Sequence, residues 1–143
     1  MKVYKTKRKK FSATNYKEAH KKANNFYKEL KRKSKRRPYI KSAYFNKDKI
    51  FIEDFWIHLR QKNVHDRTRR LQYFACAVEL IQNSKQEPES KQNVDRKTEI
   101  LHRFAGVTKD DYLFFVQISE NKKTDQKRLM SIFPLEQKKK ALR

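Results

Sequence analysis

The spacing of apolar residues changes once along the chain, and that change constrains the fold more than any other feature. Before residue 84, apolar residues recur every three or four positions, as they do on one face of an amphipathic helix. After residue 98 the period falls to two, and residues 112–119 are rich in the aromatic and β-branched residues typical of strands. The sequence therefore predicts an α+β fold, with N-terminal helices followed by a small antiparallel β-meander of at least three strands.

Three helices are predicted in the first part of the chain. Asn15, followed three residues later by Glu18, has the form of a capping box that begins a helix, and Pro38 ends it. A second helix is predicted at about 51–61 and a third at about 65–81. The first helix carries an apolar stripe, which must pack either on the body of the domain or on a partner chain. The stripe consists of Tyr16, Ala19, Ala23, Phe26, Tyr27 and Leu30.

Strands are predicted mainly in the second part. Residues 84–98 have no apolar periodicity and contain Pro88, so they are expected to form a long loop. Short connections between the later strands favour an antiparallel meander, and Pro134 is expected to stop the last strand. Strands are predicted at 99–105, 112–119 and 128–133, with a short strand at 39–45 and an arm or edge strand at 1–13.

The net charge of +22 is concentrated at the two ends of the chain. Residues 1–37 contain 16 Lys and Arg against two acids, a net charge of +14. The sequence therefore divides into a basic N-terminal arm and helix (1–37), an α+β domain (38–136) and a basic tail (137–143). Lys and Arg that contact phosphates release condensed counterions, so such ends are expected to bind nucleic acid in a salt-dependent manner. Roles in solubility, localisation or binding to anionic lipid remain as alternatives.

Several other classes of protein are excluded by composition. No apolar run approaches the roughly 20 residues that span a bilayer, and no apolar segment follows the Lys-rich N-terminus as in a secretory signal. Cys76 is the single cysteine and Gly106 the single glycine, so neither an intramolecular disulfide nor a Gly-rich phosphate loop can form. The four histidines lack the spacing of a helical zinc site. We expect a cytoplasmic protein with no metal and no cofactor, not inserted in a membrane.

Cleavage of RNA is a reaction that needs neither metal nor cofactor. The substrate supplies its own nucleophile, the 2′-hydroxyl, and the protein must transfer protons and stabilise negative charge on the phosphate. His102 lies on a predicted strand and could transfer protons, although its neighbours in the alternation are apolar and also fit a structural histidine. Ser131 is either site-facing or simply hydrogen-bonded within the sheet.

Basic residues that could hold RNA lie on helices and strands alike. Arg67 and Arg70 share a helix face with Arg69 beside them, and they either grip one phosphate or form a solvated face. Tyr112 either transfers a proton, stacks on a base or packs in the core, and Phe114 is a second candidate for stacking. The further candidates for nucleic-acid binding are Lys31, Arg32, Arg36, Arg37, Arg103, Lys127 and Arg128.

Four short motifs carry a resemblance to a known superfamily. They are Asp66-Arg67-Thr68-Arg69-Arg70-Leu71 at the start of a helix, His102-Arg103-Phe104-Ala105-Gly106, Phe114-Phe115-Val116-Gln117-Ile118, and Lys127-Arg128-Leu129-Met130-Ser131-Ile132-Phe133-Pro134. Over residues 40–136 the chain resembles the barnase–EndoU–colicin–RelE-like (BECR) superfamily of metal-independent ribonucleases, in particular its phage- and mobile-element-associated branch. No Glu/His pair of the barnase kind is recognisable in the sequence.

The resemblance implies a small α+β nuclease with RNA bound across the sheet. His102 and Ser131 would act in catalysis, and Arg69 or Arg70 would bind phosphate from the helix. Such a toxin would be paired with a neutralising antitoxin, which could cover the basic N-terminal helix or dock on its apolar stripe. The alternatives are a non-enzymatic RNA- or DNA-binding module of a mobile element or of the ribosome, and a purely structural basic protein. The nuclease hypothesis needs His102 and several guanidinium groups on one face of the sheet; the oligomeric state stays open.

Overall fold

The α+β prediction is confirmed, although strands also occupy the first part of the chain. The computed structural model describes residues 2–138, and within that range it contains four helices and seven strands. The helices are α1 (Tyr16–Lys33), α2 (Glu53–Leu59), α3 (Val64–Gln72) and α4 (Phe74–Asn83). The strands are β1 (Val3–Lys5), β2 (Tyr39–Lys41), β3 (Lys49–Phe51), β4 (Glu89–Gln92), β5 (Glu99–Val107), β6 (Tyr112–Asn121) and β7 (Lys127–Lys138).

All seven strands described belong to one mixed, curled sheet. Its order is β1-β5-β6-β7-β3-β2, and β4 pairs with β5 beside β1. The predicted antiparallel meander, β5-β6-β7, forms the centre. The finer prediction was incomplete, because β1 pairs with β5 and β3 pairs with β7 in parallel, and because β1 precedes every helix. Segments distant in sequence extend the meander on both sides.

The first helix is capped and buried as its sequence indicates. The Asn15 side chain accepts a hydrogen bond from the Glu18 backbone N–H over 2.9 Å. Ala19 and Ala23 are fully buried, and the Phe26 ring packs edge-on against Phe74 of α4. The apolar stripe therefore packs on its own domain rather than offering a docking face to a partner. Because β1 and α1 share the core with the later elements, the boundary at residue 37 does not separate two packing units.

The predicted helix at 65–81 is two helices in the structure. The backbone leaves helical geometry at Tyr73, between α3 and α4. The Gln72 carbonyl, which a continuous helix would bond to Cys76, instead accepts from the Phe11 N–H over 2.8 Å. Among the helices of residues 2–138, none combines the length and the apolar character that crossing a bilayer requires.

Two predictions about the later strands were wrong. The expected loop at 84–98 contains β4, whose four residues are all exposed and so carry no apolar pattern. β7 continues past Pro134, which lies opposite Phe114. Because β3 pairs with β7 at Lys127 and Arg128, none of the strands of residues 2–138 lies on the other side of Pro134, and its missing N–H breaks no ladder bond there. The predicted basic tail begins inside β7, and its residues 139–143 lie outside the described part.

The two faces of the meander differ in what covers them. The inner face carries Phe104, Val116 and Ile132 and packs on the helices. A Cβ built on Gly106 would lie 2.5 Å from the Phe114 ring and 2.8 Å from Leu80 of α4, so helix and sheet approach too closely there for a side chain. The outer face bears partly or fully exposed side chains, which are Leu101, Arg103, Phe115, Gln117, Ser131 and Phe133.

Candidate nucleic-acid interface

His102 lies on the inner face and is only 8% exposed. Its Nδ1 lies 2.6 Å from the Ser90 hydroxyl of β4, and its Nε2 lies 2.7 Å from a carboxylate oxygen of Glu120. Since an ionised carboxylate only accepts, Nε2 carries a proton, and in the neutral ring Nδ1 accepts from Ser90. The ring edge also packs on Phe45 at 5.0 Å between centroids. Both ring nitrogens are thus engaged within the fold.

Lys127 and Arg128 are already neutralised by carboxylates. The Lys127 side chain is 3% exposed, and its Nζ lies 2.8 Å from Asp48 and 3.0 Å from Asp125. Burial alone would lower the pKa of Lys127, but the hydrogen bonds and charges of these carboxylates and Glu120 outweigh it and raise the pKa. Arg128 Nη1 lies 2.6 Å from Asp54. The structure places these two predicted RNA contacts inside ion-pair clusters.

A row of polar side chains crosses the outer face; we call it the polar row. Arg103, Gln117 and Ser131 are directly opposite one another on β5, β6 and β7. Arg70 of α3 joins the row at β7, because its Nη1 donates to the Ser131 hydroxyl over 2.5 Å and to the Ile132 carbonyl over 2.9 Å. The structure therefore brings together three predicted site residues, Arg70, Arg103 and Ser131.

Two phenylalanines border the polar row. Phe115 and Phe133 face each other across β6 and β7. The guanidinium carbons of Arg70 and Arg103 lie 5.1 and 5.2 Å from the Phe133 ring centroid, so both charges approach the same ring. Sequence reasoning missed both aromatics, although they follow the alternation of Gln117 and Ser131. Of the two rings proposed for stacking, Phe114 is fully buried and Tyr112 lies under Lys10.

The β4 strand adds a carboxylate to the row. Glu89 lies directly opposite Arg103 in the β4–β5 ladder, so its side chain emerges on the outer face. A cavity of about 140 Å³ is lined by Glu89, Lys91, Leu101, Arg103 and Gln117, together with Ser90. Glu89 went unnoticed in the sequence because it lies in a segment expected to be a loop. Alternation assigns Glu89 to the outer face only when the β4 strand and its pairing with β5 are known.

The α3 arginines diverge rather than gripping one phosphate together. Arg67 donates to the Lys62 carbonyl over 2.7 Å and lies over Tyr16 of α1. Arg69 donates to the Pro134 carbonyl over 3.0 Å, beyond the residues that β3 covers. Arg69 and Arg70 thus supply hydrogen bonds to the exposed edge of β7. Arg69 also shares a cavity of about 230 Å³ with Lys10, Gln72, Tyr73, Tyr112 and Pro134.

The four N-terminal candidates form an exposed group at the end of α1 and just after it. Arg32 pairs with Glu29 on the same helix, and Arg37 Nε lies 2.7 Å from Glu53 of α2. The Arg37 guanidinium lies over the Phe51 ring of β3, the strand next to β7 in the sheet order. The four residues of this group, all exposed, are Lys31, Arg32, Arg36 and Arg37.

Cys76 and His102, the two side chains with the most reactive chemistry, are both held inside the fold. Burial raises the pKa of the Cys76 thiol to about 11, which keeps it protonated at neutral pH. Within residues 2–138, no group of three His, Cys, Asp or Glu is placed to hold a metal ion. No protein-family model, curated protein or solved structure matches the chain. Its function therefore has to follow from its own residues and their geometry.

Proposed function

We propose that the chain is a metal-independent endoribonuclease that binds RNA across the outer face of its sheet. The observation that carries this proposal is the polar row itself. Two guanidinium groups, a hydroxyl and a carboxylate lie along one partly exposed row that crosses four neighbouring strands and is bordered by two aromatic rings. The resemblance to the BECR superfamily supports the same reaction and the same sheet.

Phosphate binding falls to Arg103 and Arg70. A guanidinium can form two parallel hydrogen bonds to phosphate oxygens, and a second one nearby stabilises the charge that builds up during cleavage. Arg103 is exposed, whereas Arg70 is held in place by Ser131 and Asp66. The fixed guanidinium orients the site, and the exposed one reaches the substrate.

The sequence-based hypothesis required His102 on the same face as the arginines, and it lies on the opposite face. In this proposal Glu89 therefore transfers the proton instead of His102. The 2′-hydroxyl oxygen attacks phosphorus and its proton passes to the Glu89 carboxylate. The bond to the 5′-oxygen then breaks, leaving a 2′,3′-cyclic phosphate, and the leaving 5′-oxygen takes a proton from water to become a hydroxyl. The hydroxide that remains takes the proton from Glu89, which restores the carboxylate. His102 lies on the other face, with both ring nitrogens engaged, so it supports the fold beneath β4 and β5.

The test is cleavage of end-labelled RNA in the presence of EDTA by the full chain. Glu89→Gln and Arg103→Ala are each expected to reduce the rate by about 100-fold or more, as the loss of a proton-transfer group or an oxyanion-stabilising charge does. Lys109→Ala is the matched control, because Lys109 is exposed in the turn between β5 and β6. Intact RNA with the wild-type chain, or equal rates for all three variants, would overturn the proposal.

A non-enzymatic RNA-binding module is the second candidate. Aromatic rings flanked by cations, as Phe133 is by Arg70 and Arg103, are typical of surfaces that bind single strands without cutting them. This candidate predicts tight, salt-sensitive binding with no cleavage products. The assay above therefore separates the two functions in a single experiment.

The toxin role and the antitoxin partner belong to the same proposal. A nuclease of this kind would arrest growth when produced alone in the cytoplasm. Since the α1 stripe is buried in the domain, an acidic partner would have to cover the polar row or the exposed cations of α1. We expect the wild-type chain to arrest growth and Arg103→Ala not to. A partner that covers Arg103 is expected to relieve the arrest and to inhibit cleavage of RNA in the assay.

A further inference from the structure

Two cavities lie on either side of Tyr39, at the end of the sheet far from β1. One has a volume of about 640 Å³ and the other about 420 Å³, and Tyr39 lines both of them. We call them the Tyr39 cavities. β2 is the last strand in the sheet order, so the cavities open at a free sheet edge beside the end of α1.

The charge around the Tyr39 cavities is all of one sign. Among the lining residues within the described part of the chain there are eight cations and no acid. The neighbouring acid Asp48 places its carboxylate 2.8 Å from Lys127, and Glu53 pairs with Arg37. The positive potential of these cavities therefore has little local compensation. The cations are Lys33, Lys41, Lys47 and Lys85 in the larger cavity and Lys35, Arg36, Arg37 and Lys49 in the smaller.

Aromatic rings lie among these cations. Tyr39 and Phe51 both line the smaller cavity, and they are directly opposite each other in the β2–β3 ladder. The Lys49 ammonium lies 4.8 Å from the Tyr39 ring centroid, and the Arg37 guanidinium lies 4.2 Å from that of Phe51. Cations that track a phosphate backbone, combined with rings on which bases stack, are typical of sites for single-stranded nucleic acid.

The smaller Tyr39 cavity lies on the same face as the polar row, whereas the larger one extends around the edge of β2 to Lys33 of α1 and Gln82 of α4. Phe51 is directly opposite Arg128 of β7, which is directly opposite Ser119 of β6, an outer-face position. Phe51 and Tyr39 thus continue the outer face across β3 and β2. Adjacent strands lie about 4.8 Å apart and each residue rises about 3.3 Å, so Tyr39 lies about 10 Å across the strands and about 10 Å along β7 from Ser131, a distance that a few nucleotides can span.

We propose that the Tyr39 cavities are a second RNA-binding site, which holds the strand a few nucleotides away from the polar row. Phosphates lie among the lysines and arginines, and a base stacks on Tyr39 or Phe51. This inference rests on the proposed RNA binding at the polar row but uses none of its residues. It predicts that long strands bind more tightly than strands that cover the row alone.

Binding of RNA whose 2′-oxygens are methylated tests the site without cleavage. The triple variant K35A/R36A/K49A is compared with K7A/K9A/K109A, whose exposed lysines lie near the β1 end of the sheet. Three lost phosphate contacts are expected to lower the slope of log affinity against log salt by about 2, and to weaken binding about 10-fold at moderate salt. The control triple is expected to stay within about two-fold. Equal weakening by both triples would overturn the proposal.

Two further arms separate this site from the polar row and from a membrane site. If both proposals hold, K35A/R36A/K49A cleaves a dinucleotide at the wild-type rate but a long strand more slowly. If the nuclease proposal fails, the binding measurement still tests the cavities. Selective loss of binding to mixed phosphatidylcholine and phosphatidylserine vesicles, with RNA binding unchanged, would reassign the cavities to lipid. Thermal unfolding checks that both triples fold.

Discussion

The guanidinium of Arg70 donates to the Ser131 hydroxyl over 2.5 Å, which joins α3 to the outer face of β7. The same Nη1 donates to the Ile132 carbonyl, and Arg70 Nε lies 3.2 Å from Asp66 within α3. The Arg70 side chain is 12% exposed, so these contacts are largely shielded from water. Arg70 therefore stabilises the edge of β7 and orients the hydroxyl of the polar row at the same time.

Replacing Arg70 is expected to affect stability more than replacing its partner. Arg70→Lys keeps the charge but cannot reproduce the fork that reaches two acceptors, so the free energy of unfolding should fall by about 2 kcal/mol. Ser131→Ala removes one hydrogen bond and should lower it by about 1 kcal/mol. Urea denaturation measures both. A Ser131→Ala variant as unstable as Arg70→Lys would show that the hydroxyl, not the guanidinium, fixes this edge.

The His102 side chain is expected to matter for stability and not for cleavage. His102→Ala leaves Ser90 and the partly buried Glu120 without their partner, which should lower the free energy of unfolding by about 2–3 kcal/mol. Cleavage per folded molecule should change less than about two-fold, since the ring faces away from the polar row. Urea denaturation and cleavage at low temperature measure the two effects. Loss of cleavage with unchanged stability would return the acid–base role to His102.

Alternation in the sequence predicted the strands of the meander but not the face of every side chain. His102 and Phe104 are two residues apart, so alternation predicts that they share a face, and both lie on the inner face, as expected for a structural histidine. Alternation likewise predicts that Leu129 and Ser131 share a face, yet Leu129 is fully buried while Ser131 is on the outer face. A β-bulge between the Gln117 and Ile118 pairs separates them. A bulge depends on the partner strand, so one strand's sequence cannot reveal it.

The rest of the candidate site depended on pairings between distant segments. Glu89 belongs to a polar strand that exists only because β5 offers it an edge, and nothing in its own sequence predicts a strand. Phe51 reaches the outer face through parallel pairing of β3 with β7, across a separation that local patterns do not encode. Basic composition predicted a polyanion as partner. It did not indicate that Lys127 and Arg128 would be neutralised inside the fold.

Gly106 is expected to reject even the smallest side chain. A Cβ at this position would lie 2.5 Å from the Phe114 ring and 2.8 Å from Leu80, and both are packed in the core. Gly106→Ala should therefore lower the free energy of unfolding by about 1–3 kcal/mol through overpacking. Thermal and urea denaturation measure this change. Ala105→Gly, one residue earlier in β5, is the control for altered backbone freedom and is expected to have the smaller effect.

The buried ammonium of Lys127 should make stability fall at alkaline pH. Its pKa is raised in the folded state, so the charged form stabilises the fold fully below the ordinary lysine pKa. That contribution is lost as the pH rises through the folded-state pKa. At neutral pH, Lys127→Met removes the buried ammonium and should lower the free energy of unfolding, although Asp48 and Asp125, with side chains 48% and 74% exposed, stay solvated without it.

The difference in stability between the wild-type chain and Lys127→Met isolates this effect. Other groups titrate in the same range, including Tyr73, whose pKa burial raises to about 12. They act on both proteins alike, so the difference should shrink as the pH rises beyond the ordinary lysine range. Denaturation in urea across a pH series measures it. A constant difference would mean that packing of the Lys127 chain, and not its charge, stabilises this cluster.

The Phe133 ring is expected to bind a base next to the cleaved phosphate. It is partly exposed and is approached by both guanidiniums of the polar row, so a base can stack there while its phosphate contacts Arg103. Phe133→Ala should weaken binding of methylated RNA by about 1–3 kcal/mol, the usual contribution of one stacked base. Phe133→Tyr keeps the ring and should bind as the wild type does. Unchanged binding by Phe133→Ala would show that the surface recognises only phosphate, because the ring would then contribute nothing by stacking.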